Sequence, residues 1–438
     1  MNTVFHPNDT LTNRLSFYHL VLFGVLLPFD RFYSELVLIS FLLHTVISLR
    51  KQQVKNLFRI EVLWLVSVFL VALVCTLYTF NKQEGFKLLS RQLAIVLFPV
   101  LLFLNPVDLR KYAKAIFLSF AFSCTLVVAY LYADAIQVLQ YHHLPLSALL
   151  SPAFMNHNFS EPIDMHATYL SLYLGLSVAI FSHYLIAGTK RITQLVFICA
   201  LCLLALGLLQ LAARSVIIAM LLFFCFAVPF FLQGKRRKIY ATAAISISLV
   251  VVVVILASAT LRTRYFDLLK DDLSENTPEY SIADARMKRW EVAWEVVKAS
   301  PLVGYGSGDE EDLLQEAYFQ NKLYDSYLHR LNAHNQYLSF LLMGGVIALA
   351  VYLFTLAAGV RMAIQQKNLL FLAFLFLIIT VSISENILFR NKGIFFYSFF
   401  FSLFVRVLIQ QKIAAKLQAQ EASTGNLKRK TSVFTMNK

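Results

Sequence analysis

The fold is decided by residues 192–232, which have the sequence ITQLVFICALCLLALGLLQLAARSVIIAMLLFFCFAVPFFL. This apolar run is about twice as long as the roughly 20 residues that a helix needs to cross 30 Å of hydrocarbon. Arg214 is the one charged residue inside the run. The run therefore predicts two membrane-spanning helices joined by a tight turn at Ala213–Ser215, with Arg214 at the membrane surface.

The rest of the chain repeats this pattern. Its 438 residues are 58% hydrophobic and 15% charged, with a mean hydropathy of +0.65, whereas a soluble domain is about 45–50% apolar and about 25% charged. The runs are continuously apolar and do not alternate, which predicts helices and not barrel strands. We predict an all-α polytopic membrane protein with twelve spans, near residues 15–29, 32–49, 61–80, 91–104, 113–140, 166–187, 192–212, 215–232, 239–259, 334–360, 368–388 and 393–410.

The basic residues orient these spans. The net charge of +14 collects in short connectors, as expected of cytoplasmic loops, and no basic patch interleaves with an exposed domain, as nucleic-acid binding would require. In a twelve-span count, one side of the membrane receives the basic segments 50–55, 110–114, 190–191, 235–238, 361–367 and the tail. Both termini are then cytoplasmic. Residues 1–13 lack Lys and Arg, and no cleavage pattern follows, so we expect the first span to be retained.

This orientation gives four regions. Residues 1–259 hold spans one to nine, and residues 260–333 form a large, partly helical loop outside the cytoplasm. Residues 334–410 hold the last three spans, and residues 411–438 form a basic cytoplasmic tail. Because the loop lies outside the cytoplasm, we expect no nucleotide chemistry there.

The loop contains a predicted amphipathic helix. Ser281 with Asp284 three residues later resembles a capping box and predicts a helix start near Ile282. At 100° per residue, three apolar positions fall within about 40° of Arg286, namely Trp290, Ala293 and Val297. Trp294 and Arg289 are expected to flank this face.

Three arginines are candidates for binding an anion. Arg286 is predicted at the centre of an apolar face, where its guanidinium could grip a phosphate or carboxylate, although pairing with Asp284 or another loop acid is the alternative. Arg289 at the edge of that face is the second candidate. Arg214 lies on the side that the charge bias disfavours, which indicates function. The alternative for Arg214 is an interfacial side chain that snorkels.

His334 is the candidate proton acceptor, because imidazole titrates near neutral pH and the residue begins the tenth span. Asn335 and Tyr337 could orient it or the substrate. Glu385, at the outer end of span eleven, could complete a charged pocket with Lys87 and Arg91, which lie one helical turn apart. Structural roles are equally compatible with these positions, and a histidine at a membrane interface is often structural.

Neither a metal nor a cofactor is expected. The histidines on the outer side have spacings that match no compact ligand set; they are His142, His143, His157, His166 and His329. The glycines Gly304-x-Gly306-x-Gly308 lack the Gly-Lys-Ser/Thr ending of a phosphate loop. Because Pro301 precedes them, we interpret them as a turn after the helix.

Together these residues resemble a known family, the O-antigen ligase and Wzy polymerase superfamily of bacterial envelope glycosyltransferases. The resemblance rests on the architecture and on Arg214 between two spans, followed by motifs within residues 286–345. These motifs are Arg286-x-x-x-Trp290, Pro301-Leu-Val-Gly304-x-Gly306-x-Gly308, His334-Asn335-x-Tyr337-Leu338 and Gly344-Gly345. The resemblance implies a GT-C-like fold in the bacterial inner membrane, with the large loop in the periplasm.

The resemblance also implies an activity. A glycan would pass from undecaprenyl diphosphate to a hydroxyl of lipid A-core at the periplasmic face, with inversion and without metal or nucleotide. Arg214 and Arg286 would hold the diphosphate and neutralise the charge of the leaving group, and His334 would be the base. A polysaccharide polymerase and a protein O-oligosaccharyltransferase share these motifs and stay open as alternatives. A polysaccharide transporter is disfavoured, because its ionisable residues should lie near mid-membrane.

Overall fold

The computed structural model describes residues 9–188, 190–257, 259–267 and 286–436, and these ranges contain helices and no β-strand. The main helices are α1 (Leu11–Leu26), α2 (Arg31–Ile47), α3 (Ile60–Tyr78), α4 (Lys82–Gln92), α5 (Ala94–Leu104), α6 (Leu109–Tyr141), α7 (Ala167–Ile186), α8 (Arg191–Leu211), α9 (Arg214–Leu222), α10 (Gly234–Ala257), α11 (Arg286–Ala299), α12 (Glu310–Gln320), α13 (Tyr324–Leu328), α14 (Gln336–Gln365), α15 (Leu369–Val381) and α16 (Asn391–Met436).

Short helical segments connect them. Four-residue or shorter α and 3₁₀ turns occupy Lys51–Val54, Lys55–Phe58, Pro152–Phe154, His157–Ser160, Glu161–Ile163, Val228–Phe231, Ala259–Arg262 and Ile387–Phe389. A 3₁₀ turn of five residues spans Leu146–Leu150. A π-helical segment, Phe223–Ala227, follows α9. A second one, Thr263–Asp267, ends the described range 259–267.

The polytopic helical architecture is confirmed. Within the described residues, nine helices are long and apolar enough to cross a membrane, and ten if α2 and the bent segment Lys51–Phe58 count as one span. Helices α1 and α15, with 16 and 13 residues, are shorter. Every predicted span contains a helix, but the total of twelve crossings stays a prediction. One boundary differs, because residues 82–90, predicted as a connector, continue the fourth span as α4.

Helix α16 forms the centre of the bundle. Its first half has the sequence IFFYSFFFSLFVRVLI, which is apolar on nearly all sides and therefore suits a helix surrounded by others. Phe404 stacks on Phe117 of α6, with ring centroids 4.8 Å apart, and on Phe371 of α15 at 5.1 Å. Such ring pairs add to the burial of apolar surface, so α16 holds α6 and α15 in place around itself.

Helix α14 is broken at Gly344 and Gly345, and a turn from outside the bundle closes the break. The carbonyls of Leu342 and Met343 accept hydrogen bonds from N of Tyr305 (2.8 Å) and Gly306 (2.9 Å), while N of Val346 donates to O of Pro301 (2.9 Å). Backbone groups freed inside a membrane must find such partners. The segment 301–308 is therefore a packing turn, as predicted.

The described part of the segment between α10 and α14 packs on the same region. Helices α11 and α12 share a buried cluster with α14, which includes Val292, Ala293, Val297, Leu314, Tyr318 and Leu342. The predicted capping box, Ser281 to Asp284, lies outside the described residues. This segment is thus fixed to the start of α14, next to His334.

Candidate active site

His334 and Glu385 lie side by side at one end of the membrane helices. His334 comes just before α14, and Glu385 lies between α15 and α16. Nδ1 of His334 is 3.4 Å from Oε2 of Glu385. The two side chains are 25% and 12% exposed, so the pair is sheltered yet open to a ligand. With Nδ1 as donor to the carboxylate, Nε2 is the nitrogen that can accept a proton.

The backbone around His334 is held by two asparagines. Oδ1 of Asn332 accepts a hydrogen bond from N of His334 (2.9 Å). Oδ1 of Asn335 accepts from N of Tyr337 (3.0 Å) and Leu338 (3.2 Å) and so caps α14. His334 itself has a φ of +46°, which is uncommon for a residue other than glycine. The imidazole is therefore presented from a sharply turned and well-supported position.

The electrostatic surroundings keep Glu385 ionised. Burial raises the pKa of Glu385, but the hydrogen bond with His334 and the nearby His334, His166 and Arg286 lower it, and the net result is a pKa below the usual value. An ionised Glu385 fixes the tautomer of His334 and stabilises its protonated form. The same effect shows that Arg286 lies within electrostatic reach of Glu385, so the structure brings Arg286, His334 and Glu385 together.

Helix α11 differs from its predicted orientation. Arg289 is 6% exposed and Ala293 and Val297 are buried, whereas Trp294 is 48% exposed. The buried face is therefore centred nearer Arg289 than Arg286, and the prediction that Trp294 flanks it is wrong. The predicted face was centred on Arg286, but Val292 is also buried, which moves the buried face toward Arg289.

Arg286 is the first described residue of α11 and is half-buried. Its Nε is buried and has no hydrogen-bond acceptor among the described residues. Nearby, Nε1 of Trp290 donates to O of Ala333 (3.0 Å), which ties α11 to the residue before His334. Within the described part of the chain, Arg286 thus keeps an unused hydrogen-bond donor at a position within electrostatic reach of Glu385.

Arg214 is the first residue of α9, and the predicted tight turn is confirmed. The turn passes through Ala212, whose φ is +49°. A Cβ atom on Gly175 would lie 3.0 Å from Leu377 and 3.2 Å from Val216, so the start of α9 packs beside the second half of α15. Arg214 therefore lies toward the end of the bundle from which the segment with Glu385 emerges.

Of the predicted substrate-binding residues, Tyr337, Lys87 and Asn335 have partners within the protein, and Arg91 is exposed. The hydroxyl of Tyr337 donates to O of Ile379 (2.8 Å). Lys87 forms an ion pair with Glu84 on its own helix α4, and Arg91 is exposed on the same helix. Tyr337 and Asn335 therefore stabilise the start of α14, and Lys87 and Arg91 lie on the surface of α4.

His166 is a site residue that sequence reasoning missed. It precedes α7, where its Nδ1 accepts from N of Thr168 (3.3 Å), and its ring centroid is 4.1 Å from that of His157. Its influence on Glu385 places it beside the pair. The feature of the sequence that could have identified His166 was its position at the start of an apolar helix. In the described residues, no group of three or more His, Cys, Asp or Glu side chains could hold a metal ion.

The comparison with known families agrees with this geometry. Residues 197–353, about a third of the chain, match the family model for O-antigen ligase. This segment contains Arg214, Arg286 and His334. No protein in the curated collection matches the chain. Residues 197–353 are therefore similar to the O-antigen ligase and Wzy polymerase superfamily, in a chain that has several helices long and apolar enough to span a membrane.

Proposed function

We propose that the chain is an O-antigen ligase that transfers a glycan from undecaprenyl diphosphate to a hydroxyl of lipid A-core. The observation that carries the proposal is the contact between His334 and Glu385 within electrostatic reach of Arg286. His334 and Arg286 belong to the segment that matches O-antigen ligase. An ionised carboxylate behind an imidazole is an arrangement suited to removing a proton from a hydroxyl.

His334 is the proposed general base. Its Nε2 takes the proton of the acceptor hydroxyl as that oxygen attacks the anomeric carbon of the donor. Glu385 holds Nδ1–H and stabilises the imidazolium that forms. General-base catalysis of this kind contributes about 10²–10⁴-fold to a rate.

The arginines are the proposed partners of the leaving group. As the new bond to the anomeric carbon forms, its bond to the phosphate oxygen breaks and undecaprenyl diphosphate leaves with the electron pair. Arg286 and Arg214 neutralise the charge that develops there, with Arg289 behind them. Attack from the face opposite the diphosphate inverts the anomeric centre. In this proposal arginine cations carry the charge stabilisation that a metal ion supplies in other transferases.

The proposed site faces the periplasm of a bacterial inner membrane, and both termini are cytoplasmic. The support is the collection of Lys and Arg in connectors on the other side. A single cysteine at Glu316 on α12, or at Lys416 on α16, can test this after the five native cysteines are replaced. An impermeant maleimide should label position 316 from the periplasm and position 416 only once the inner membrane is permeabilised. The reverse pattern would invert the topology.

The acceptor is tested by deletion of the gene and complementation with His334→Ala or Arg286→Ala. A ligase predicts unmodified lipopolysaccharide core together with long carrier-linked polymer. Single carrier-linked repeats would indicate a polymerase, and loss of glycoprotein with intact lipopolysaccharide would indicate a protein glycosyltransferase. Lys298→Ala is the matched control, because Lys298 is exposed on α11 and pairs with Glu295. Full activity of both site variants would reject the mechanism.

A further inference from the structure

Glu310 is a buried carboxyl outside the proposed transfer chemistry. It is the first residue of α12 and is 6% exposed. Its Oε1 accepts hydrogen bonds from Oγ of Ser339 (2.6 Å) and Nδ2 of Asn386 (3.4 Å), and Nδ2 of Asn386 also donates to Oγ of Ser339 (2.7 Å). We call these three residues the Glu310 cluster.

The cluster borders the site on both sides. Asn386 directly follows Glu385, and N of Ser339 donates to O of Asn335 (3.0 Å) in the first turn of α14. The backbone of Ala333, the residue before His334, is close enough to Glu310 to lower the pKa of its carboxyl. One side chain thus contacts the segment that carries His334 and the segment that carries Glu385.

Attachment of α12 does not require Glu310. The neighbouring carboxylate of Asp309 already accepts from N of Phe80 (2.8 Å) and N of Asn81 (2.6 Å), and Leu314 and Tyr318 are fully buried. Burying a carboxyl also costs free energy, which a purely structural contact would not require. Burial raises its pKa to about 7, and its Oε2 is buried with no hydrogen-bond partner among the described residues.

We propose that Glu310 is a positioning residue for the transfer reaction. By binding Ser339 and Asn386, it fixes the distance between His334 and Glu385. This inference rests on the proposed function, in which His334 takes the proton of the acceptor. A side chain that only holds geometry should affect the chemical step more than ligand binding, because small misplacements of reacting groups cost rate.

The first test compares Glu310→Ala, Glu310→Gln and Glu316→Ala by kcat and KM of glycan transfer in purified protein. We expect Glu310→Ala to lower kcat by about 10–100-fold, as a misplacement near 1 Å can, with KM changed less than about twofold. Glu310→Gln keeps an acceptor oxygen and should recover most of the rate. Glu316 is the control, since it lies exposed on the same helix and bonds only to Gln320 among the described residues.

A second test measures coupling within the cluster. Glu310→Ala and Asn386→Ala should each lower kcat, and the double variant should be less impaired than the product of the two effects, because both break one network. Multiplicative effects would overturn the inference, as would equal losses in Glu310→Ala and Glu310→Gln. If Glu310→Ala does not fold, Ser339→Ala and Asn386→Ala form the cycle within the Glu310 cluster instead.

His334→Ala separates this inference from the proposed function. If His334→Ala is inactive while both Glu310 variants match the wild type, only the positioning role fails. If His334→Ala retains full activity, the proposed function fails, whatever Glu310 does.

Discussion

Nδ1 of His334 lies 3.4 Å from Oε2 of Glu385, although 51 residues separate them in the chain. Two supports make this contact possible. Asn332 and Asn335 hold the backbone on either side of His334, and the connector after α15 carries Glu385 back to the start of α14, where N of Gln336 donates to O of Ser382 (2.8 Å). The pair therefore joins the last three membrane helices at one point.

Replacement of Glu385 by Gln should lower kcat of glycan transfer by about 10²-fold or more. The neutral amide no longer stabilises the imidazolium and can hold the wrong tautomer of His334, for which losses up to about 10⁴-fold are known in triads. The measurement is kcat in the single variants and in the His334→Ala/Glu385→Gln double variant. The double variant should be no worse than His334→Ala alone, since the two residues act as a unit. A further large loss in the double variant would show that Glu385 acts independently.

Arg286 and Arg289 should respond differently to replacement by Ala. Arg286→Ala should lower kcat by about 10²–10³-fold, as the removal of one charge-stabilising donor does, with a normal amount of folded protein. Arg289 is 6% exposed, so Arg289→Ala should chiefly lower the melting temperature. Thermal unfolding in detergent and the transfer rate, measured on both variants, distinguish these outcomes. If Arg289→Ala is stable but inactive while Arg286→Ala is active, the roles of the two arginines are exchanged.

The helical architecture was predictable because continuous apolar runs leave few alternatives in a bilayer. Arg214 and His334 could also be identified from the sequence, because Arg214 interrupts such a run and His334 begins one. Charged or polar residues at those positions stand out in the sequence without any structure. The helical class, the tight turn at Arg214 and the turn at residues 301–308 were therefore predicted correctly.

The residues that support the site were harder to predict from the sequence. Glu310 begins a run of acidic residues, Glu310-Glu311-Asp312, which in sequence resembles the solvated first turn of a helix. Its burial depends on contacts with Ser339 and Asn386, far away in the chain. The face of α11 was misjudged for the same reason, because packing against α14 decided which side was buried.

The stability of the protein should depend on pH through Glu310. Burial raises its pKa from 4.5 to about 7, so between these values the folded state binds more protons than the unfolded chain, and stability falls as pH rises. The ionised carboxyl then costs on the order of 3 kcal/mol above pH 7, at about 1.4 kcal/mol per pKa unit. Glu310→Gln removes this dependence, so its melting temperature should exceed that of the wild type at pH 8 and approach it at pH 5. An equal difference at both values would contradict the raised pKa.

Gly345→Ala should destabilise the protein far more than Gly188→Ala. Both glycines have positive φ, +60° and +87°, which costs an alanine about 1–2 kcal/mol. No described residue lies within 4 Å of a Cβ atom on Gly188, whereas a Cβ on Gly345 would meet the backbone carbonyl of Leu302. Gly345→Ala must therefore displace the turn 301–308 and expose the broken hydrogen bonds of α14, at a cost of about 3 kcal/mol or more. Thermal unfolding of both variants in detergent measures the difference, and similar melting temperatures would mean that the turn does not seal the break in α14.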